Sequence, residues 1–328
     1  MIHDSLRLIM MGTGSFAAPT FRALFDTPHA VVALVTQPAR PTHRHGAAPT
    51  TPLRDVAAQR GTPVLSPESV NSEAARMELA ALAPDLFVVA DFGQILSTET
   101  LAVADLGGIN LHGSLLPKYR GAAPINWAIY HGDSETGVTV IGMTPRVDSG
   151  PCLAQARTSI DAEEDAVELE TRLAALGAPL VCRVINELAA GRAGPLPQDP
   201  ALASPARRLR KTDGQIDWSR PAVAIKNQVR ALQPWPKTYT FWQRAGGPPL
   251  RLILGRTAVR DDLPPVPPGT VVRAKGDDLA VGCGQAALAI REIQPSGKRT
   301  CTAGEFLRGY PVRAGQSFGP ELGGAGMP

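Results

Sequence analysis

Short apolar runs that alternate with helix-like stretches are the feature of this 328-residue chain that most restricts its fold. The apolar runs are Leu6–Gly12, Val31–Val35 and Leu86–Ala90, and each ends at a loop. Residues 16–25, 52–60 and 73–83 have helix-compatible spacing. This alternation predicts an α/β domain with a doubly wound, mostly parallel sheet that binds ligands at the carboxyl ends of its strands.

The turn after the first apolar run is similar to a dinucleotide-binding turn, since Gly12-Thr13-Gly14 is followed by Ala17. A dinucleotide site of that type also needs an acidic residue about 20 positions further on, at the end of the second strand. Here the second strand runs into Thr36-Gln37-Pro38 instead. We therefore expect these glycines to form a tight turn that lets some other ligand approach the backbone.

The sequence changes character after Gly191, where it becomes rich in Pro, Ala and Arg and predicts a connection over about residues 190–211. A helix is expected from Asp217 to about Leu232. Short β-like pieces follow it, namely Thr238–Trp242, Leu250–Leu254, Thr270–Arg273, Leu279–Val281 and Ala287–Ile293. They predict a small barrel or sandwich, and hence two domains at 1–205 and 206–318 with a disordered tail at 319–328.

Charge is unevenly distributed along the chain. Nine Lys or Arg stand against two Asp between Ala206 and Arg244, although the whole chain carries only +3. A basic second domain favours a polyanionic partner, and a solvated basic surface is the alternative. The four cysteines have no spacing typical of a metal site or redox pair, and no run has the length of a signal peptide or membrane span. We expect a cytoplasmic monomer without metal or membrane partner.

The densest cluster of chemically active residues begins at the end of another strand-like run. Asn110 and His112 are two positions apart, so on a strand their side chains leave the same face and can converge on one atom. An amide and an imidazole aimed at a carbonyl oxygen would stabilise an oxyanion. Asp148 follows the strand-like run Gly137–Met143 and could reach them. From spacing alone, a structural His–Asp pair remains the commoner explanation.

A family resemblance favours a catalytic role for these residues over a structural one. The segment Ile109–Pro124, INLHGSLLPKYRGAAP, together with Gly132–Val138 and Val147–Gly150, closely resembles the 10-formyltetrahydrofolate-dependent formyltransferases, and among them the group that acts on methionyl-tRNA. The similarity continues through Asp213–Trp218 and Pro234–Pro236 and covers almost the whole chain. It implies a Rossmann-like formyltransferase domain over 1–205 and an OB-like tRNA-binding barrel over 206–318.

The resemblance also implies roles for single positions. Asn110, His112 and Asp148 would form the formyl-transfer site. The folate would be bound by Ser114, Leu115, Leu116 and Pro117, where Leu115 and Leu116 would offer apolar surface to a flat ligand. Arg44 matches the arginine of a loop that enters the tRNA acceptor arm.

The implied reaction moves the formyl group of 10-formyltetrahydrofolate to the methionine α-amino group of initiator methionyl-tRNA, which supports translation initiation. The alternatives are a formyltransferase of the same core that acts on an amino-sugar or glycinamide nucleotide, and a 10-formyltetrahydrofolate hydrolase. Water could replace the amine in the hydrolase.

Three places depart from the family pattern. Gly46-Ala47-Ala48 replaces basic residues after Arg44, which predicts weaker contacts of that loop to RNA. Gly14-Ser15 stands where proline and an acidic residue are usual. Asp91 stands beside the expected folate pocket, where a small apolar residue is common, and is expected to be a hydrogen-bonded carboxylate without a catalytic role.

Overall fold

The computed structural model describes residues 4–38, 51–244 and 247–320. Contacts divide the chain into two compact units. Unit 1 comprises Met1–Pro124, Glu135–Ser159 and Glu168–Arg207, and unit 2 comprises Ile125–Ser134, Ile160–Val167 and Arg208–Pro328. The functional boundaries at 1–205 and 206–318 stay a prediction, and the tail predicted to be disordered lies outside the described residues from 321 onward.

Unit 1 is built on a seven-stranded sheet. The strands up to residue 206 are β1 Arg7–Gly12, β2 Ala30–Val35, β3 Val64–Leu65, β4 Leu86–Ala90, β5 Gly108–His112, β6 Arg120–Gly121, β7 Glu135–Gly142, β8 Cys152–Ser159 and β9 Pro205–Ala206. The sheet has the order β3-β2-β1-β4-β5-β7-β8, and β6 and β9 form a separate two-stranded ladder.

The order of the strands confirms the doubly wound, mostly parallel sheet. From β1 the chain winds outward to β3, then returns to β4 and β5 on the other side, and these five strands are parallel. Strands β7 and β8 add an antiparallel edge. Every residue of β4 is buried, as expected for a central strand covered on both faces. The winding reverses between β1 and β4, and ligands bind at such reversals.

Six α-helices and two short 3₁₀ helices lie among the described residues up to 206. They are α1 Ala18–Leu24, α2 Pro52–Arg60, α3 Glu73–Ala81, α4 Thr98–Leu101, α5 Pro124–His131 and α6 Ala166–Ala189, with short 3₁₀ helices at Ser15–Ala17 and Pro200–Leu202. Helix α2 has its predicted bounds because the Thr51 side chain caps its start, Pro52 occupies the first turn, and Gly61 ends it at φ +65°.

Helix α6 packs directly on strand β5. A Cβ at Gly177 would lie 2.6 Å from Cδ2 of Leu111, so glycine lets the helix approach the strand without displacing the Leu111 side chain. Leu111 stands between Asn110 and His112 and points to the opposite face of β5. The helix therefore supports the back of the strand that carries the two predicted active residues. Within the described ranges, no helix is long and apolar enough to cross a membrane.

Unit 2 contains two antiparallel sheets, which confirms the predicted β-rich second domain. Its strands are β10 Thr238–Trp242, β11 Leu250–Leu254, β12 Thr257–Arg260, β13 Val271–Lys275, β14 Asp278–Gly282, β15 Ala287–Ile290, β16 Glu292–Pro295, β17 Cys301–Thr302 and β18 Phe318–Gly319, with helices α7 Ala222–Ala231 and α8 Ala303–Gly309 and a 3₁₀ helix at Lys211–Gly214. The sheet orders are β17-β16-β11-β10-β18 and β12-β15-β14-β13. Side chains from both sheets share one core with Trp218 and Phe306.

The helix predicted to begin at Asp217 begins at Ala222 instead. The Asp217 carboxylate accepts hydrogen bonds from the Ser219 amide at 3.0 Å and from the Ser219 hydroxyl at 2.6 Å. This local turn competes with helix formation, and Pro221 disfavours a helical conformation at the residue before it. The first helical turn therefore starts after the proline.

The single strand predicted over Ala287–Ile293 is also wrong, because β15 and β16 belong to different sheets. The amides of Arg291 and Glu292 both donate to the Arg256 carbonyl oxygen, at 2.8 and 3.2 Å. The chain therefore leaves one ladder at Ile290 and enters the other at Glu292. The apolar pattern continues through this change of sheet, so periodicity alone did not reveal it.

Candidate active site

Asn110 and His112 project from the same face of β5, as predicted, and both reach the carboxylate of Asp148. The Asn110 amide Nδ2 donates to Asp148 Oδ1 at 3.3 Å. The imidazole Nδ1 of His112 lies 3.5 Å from Asp148 Oδ2. His112 is only 5% exposed, while Asn110 is half-buried and remains accessible from the face of the site. The structure thus brings the three predicted residues together in one cluster.

Asp148 is held in the loop between β7 and β8 by a backbone conformation that carboxylates adopt infrequently. Its φ is +48°, in the left-handed region, where Asp is more common than most other side chains. Besides Asn110, the Gly121 amide donates to Oδ2 at 2.9 Å. Each carboxylate oxygen therefore has a hydrogen-bond donor, which fixes the rotation of the carboxylate relative to His112.

The hydrogen-bond partners of His112 define which of its nitrogens carries a proton. Nε2 lies 2.8 Å from the backbone carbonyl oxygen of Tyr119, and because a carbonyl only accepts, Nε2 must donate. Nδ1 is then the nitrogen that can gain or lose a proton, and it faces Asp148 Oδ2. The pair can take up a proton at Nδ1 and hold it against the carboxylate. The Tyr119 carbonyl is a backbone group, so no sequence pattern predicts its part in the site.

Gly121 combines two requirements that only glycine meets. Its φ of +124° lies in a region that side-chain-bearing residues avoid, and an added Cβ would lie 2.6 Å from the Ala206 carbonyl oxygen. It pairs with Ala206 through the β6–β9 ladder while its amide donates to Asp148. Sequence reasoning missed this residue, although a glycine within the RGAAP stretch was a possible signal.

The four residues predicted to bind folate are not equally accessible. Ser114 is buried and its hydroxyl donates to the Lys118 carbonyl oxygen at 2.6 Å. Leu116 is 4% exposed, so it offers little open apolar surface in this structure, and its part in folate binding stays a prediction. Leu115 and Pro117 are half-buried and keep accessible surface. Leu115 lies over Gly137 of β7, where a Cβ would be 2.6 Å from its Cδ2.

Two carboxylates, Asp91 and Glu170, interact where the sheet reverses its winding. Asp91, which follows β4, is exposed as a residue, but its Oδ2 lies 1.7 Å from the position of a Cβ at Gly14. Glu170 accepts a hydrogen bond from the Ser15 hydroxyl at 2.6 Å. Removal of the Asp91 carboxylate from water, with repulsion from Glu170, raises its pKa to about 6. Gly14 and Asp91 are two of the departures noted above, and the glycine makes room for the carboxylate.

Replacement of Asp91 by Asn should stabilise the protein at neutral pH and have little effect in acid. Because the folded state raises this pKa, ionisation of Asp91 costs stability above pH 6, and that cost disappears once the group is protonated in both states, near pH 4. The carboxylate is partly solvated, so we expect a melting temperature only about 2 °C above wild type at pH 7.5. Thermal melts from pH 4.5 to 7.5 measure the difference. A difference that stays constant over this range would contradict the assignment.

Several side chains of the basic segment 206–244 contact other parts of unit 2. Arg230 donates to the carbonyl oxygens of Asp161 and Glu164 at 3.0 Å each, and Lys226 pairs with Glu163. Arg220 stacks on a tyrosine ring and donates to its hydroxyl. Four further basic residues of the segment, Arg207, Arg208, Arg210 and Lys211, are exposed to solvent. Part of the predicted positive charge therefore stabilises the unit itself.

Arg44 lies outside the described residues. No group of three or more His, Cys, Asp or Glu able to hold a metal ion occurs in the ranges 4–38, 51–244 and 247–320.

Comparison with known families matches both halves of the chain. Residues 6–185 match the family described as formyl transferase, and residues 208–311 match the formyl transferase C-terminal domain. The methionyl-tRNA formyltransferase of Citrifermentans bemidjiense is 42% identical over 322 residues, which cover 98% of this chain and 99% of that protein. The methionyl-tRNA formyltransferase of Pelobacter propionicus is 42% identical over 316 residues, covering 96% of this chain and 97% of that protein.

Solved structures with the same fold share much less sequence. An N-formyltransferase from Helicobacter canadensis, in complex with folinic acid and dTDP-3-aminofucose, aligns with a TM-score of 0.63 at 16% identity over 88% of this chain and 99% of that chain. HypX from Aquifex aeolicus, in complex with tetrahydrofolic acid, aligns with a TM-score of 0.59 at 15% identity over 95% of this chain and 50% of that chain. At this level of identity the alignments describe the fold alone.

Proposed function

The chain belongs to the formyl transferase family, and on that premise we propose that it transfers a formyl group from 10-formyltetrahydrofolate to the α-amino group of methionine on initiator methionyl-tRNA. The observation that carries this proposal is the 42% identity to methionyl-tRNA formyltransferases, which extends through 98% of the chain. The similarity includes the second unit as well as the site. The product would enter translation initiation, and the protein would act in the cytoplasm.

The residues of the site fit a formyl donor. Asn110 Nδ2 carries two hydrogens, and since one is directed to Asp148, the other is available to a formyl oxygen. Leu115 and Pro117, in the segment after β5, keep apolar surface against which a flat ring can lie. When bound, 10-formyltetrahydrofolate supplies the electrophilic formyl carbon and, in N10, the leaving nitrogen.

The free hydrogen of Asn110 Nδ2 stabilises the negative charge that the formyl oxygen gains during attack by the amine, and His112 adds positive charge nearby once it has taken up a proton at Nδ1. The amine needs little activation, because an α-amino group titrates at about pH 7.7 to 8.0 and is partly neutral near pH 7. Nδ1 of His112 and the Asp148 carboxylate accept the proton released by the attacking nitrogen and pass it to N10. One C–N bond forms, the C–N10 bond breaks, and the proton lost by the amine equals the proton gained by N10.

The exposed basic residues support a polyanionic acceptor. Arg208, Arg210 and Lys211 lie at the start of the main segment of unit 2, and such side chains bind phosphates without reading sequence. We propose a monomer as the active form.

A panel of acceptors tests the proposed function. The purified protein is incubated with 10-formyltetrahydrofolate and, in separate reactions, methionyl initiator tRNA, uncharged tRNA, an amino-sugar nucleotide, a glycinamide nucleotide or buffer alone. We expect the charged tRNA to be formylated at least about 10²-fold faster than any other acceptor, since one site distinguishes acceptors by several kcal/mol. Faster reaction with a nucleotide acceptor, or equal consumption of the donor in buffer, would support one of the alternative activities.

Arg44→Ala should chiefly impair the use of tRNA. By its family resemblance Arg44 contacts the acceptor arm, and loss of one charged contact should raise the KM for methionyl-tRNA about tenfold. The KM for the formyl donor should stay unchanged. Initial rates over a range of tRNA concentrations measure the effect, with Arg40→Ala as a charge-matched control in the same segment. The role would be refuted if the two variants gave the same tRNA dependence as wild type.

A further inference from the structure

A residue from the predicted connection at 190–211 forms hydrogen bonds to the backbone of the loop that carries Asp148. Gln198 follows α6 and precedes β9, and its Nε2 donates to the carbonyl oxygens of Asp148 at 2.9 Å and Gly150 at 2.7 Å. The side-chain amide thus bridges two backbone carbonyls on either side of Ser149. All of these residues belong to unit 1.

The other end of the Gln198 side chain is fixed as well. Its Oε1 accepts two hydrogen bonds from the guanidinium of Arg120, from Nε at 3.0 Å and from Nη2 at 2.7 Å. A guanidinium fork on one oxygen holds the amide in a single orientation, with its NH₂ group toward the loop. Arg120 itself is anchored through the β6–β9 ladder.

The position of Asp148 depends on support of its backbone as well as on the hydrogen bonds of its carboxylate. The contacts to Asn110 and His112 are long, 3.3 and 3.5 Å, and the backbone of Asp148 is in the left-handed region, at φ +48°. On the opposite side, a Cβ at Gly150 would lie 1.8 Å from the Gly142 carbonyl oxygen, so the loop is packed closely on the end of β7. Gln198 holds the same loop through its hydrogen bonds to the Asp148 and Gly150 carbonyl oxygens.

Strand β6 links the two kinds of support. Arg120 orients Gln198, which holds the backbone of the loop, while the next residue, Gly121, donates its amide to the Asp148 carboxylate. The two residues of β6 therefore help to fix both the backbone and the side chain of Asp148. A shift of the loop would change both sets of contacts together.

We propose that Gln198, oriented by Arg120, is a positioning residue that sets the Asp148 carboxylate against Asn110 and His112. Gln198 does not touch the reacting atoms, and its effect on rate passes through the geometry of Asp148. The test of this role by formylation rate rests on the proposed function, whereas the test by amide exchange does not.

Three variants separate positioning from simple packing. Gln198→Met keeps the volume and removes all four hydrogen bonds. Gln198→Glu keeps the acceptor for Arg120 and removes the donor to the loop. Asp199→Ala is the matched control, because the Asp199 carboxylate caps the adjacent 3₁₀ helix by accepting from the Ala201 amide at 2.9 Å.

Single-turnover formylation of methionyl-tRNA should fall about 10- to 100-fold in Gln198→Met and at least as far in Gln198→Glu, since small misplacements of catalytic groups have effects of this size. The KM values for tRNA and formyl donor should change less than about threefold, because the substrate contacts remain. Asp199→Ala should stay within about twofold. A near-wild-type rate for Gln198→Glu, or an equal loss in Asp199→Ala, would overturn the proposal.

Amide exchange gives a readout that needs no substrate. The Gly121 amide is protected by Asp148 Oδ2, so NMR-detected exchange of this amide should accelerate at least about tenfold in Gln198→Met and stay unchanged in Asp199→Ala. Unaltered Gly121 exchange in a folded Gln198→Met protein would refute positioning. A wild-type protein that formylates no tRNA would refute the proposed function, while the exchange result would still decide the role of Gln198.

Discussion

Replacement of Asp148 by Asn should slow single-turnover formyl transfer about 10²- to 10³-fold without unfolding the protein. The carboxylate has two oxygens that accept from Asn110 and Gly121 and face His112. An amide has one oxygen and one NH₂ group, so in either orientation one existing donor would face another donor. The amide also cannot accept the proton held at Nδ1 of His112. Rapid-quench assays with enzyme in excess over methionyl-tRNA measure the chemical step directly.

Further variants test whether the cluster acts as a unit. His112→Ala should cause a loss of similar size, and the double variant should be little slower than either single variant, because each change breaks the same proton path. Ser149→Ala is a control in the same loop, since the Ser149 hydroxyl contacts Arg146 and Thr144 and makes no recorded contact with the cluster. Single-turnover rates of Asp148→Asn and His112→Ala within about threefold of wild type would rule out this catalytic role.

Gly121→Ala should have the largest effect on stability among single substitutions at the site. The added Cβ meets the Ala206 carbonyl oxygen at 2.6 Å, and φ of +124° is strained for any residue with a side chain. Together these effects should lower the free energy of unfolding by roughly 3 kcal/mol. Relief of the clash would open the β6–β9 ladder and withdraw the Gly121 amide from Asp148, so formyl transfer should fall more than about tenfold. Urea unfolding and single-turnover rates measure the two effects.

Gly191→Ala is the matched control for that substitution. Gly191 also has a positive φ, +64°, but a Cβ there would have no neighbour within 4 Å. Its replacement should therefore cost only the backbone strain, about 1 kcal/mol, and leave the rate of formyl transfer unchanged. Equal losses of stability in the two variants would indicate that the contact with Ala206 is unimportant.

The catalytic strand could be predicted from sequence because its signals are local. Asn110 and His112 are separated by two positions, and a strand places such residues on one face whatever surrounds it. The alternation of apolar and helical stretches likewise predicted the parallel sheet, and the caps of α2 set its bounds. The roles of the three cluster residues rest on family resemblance and on geometry together, and they stay predictions until the variants are measured.

The partners of these residues could not be predicted, because they depend on contacts between distant parts of the chain. Gln198 is 50 positions from Asp148, and the Tyr119 carbonyl and Gly121 amide are backbone groups that every residue has. The charge count of the basic segment also gave no sign that Lys226 and Arg230 are engaged within unit 2. Such contacts exist only once the fold has brought the segments together.

The interleaving of the two units limits how such enzymes can be recombined. Unit 2 contains Ile125–Ser134 and Ile160–Val167 in addition to the chain from Arg208 onward. Asn126 donates to the Ala231 carbonyl oxygen, and Arg230 donates to the Asp161 carbonyl oxygen, so these early segments contact the later one. A chimera joined once near residue 207 would pair the early segments of one parent with the barrel of another. Exchange of the second unit between relatives therefore requires all three segments to be transplanted together.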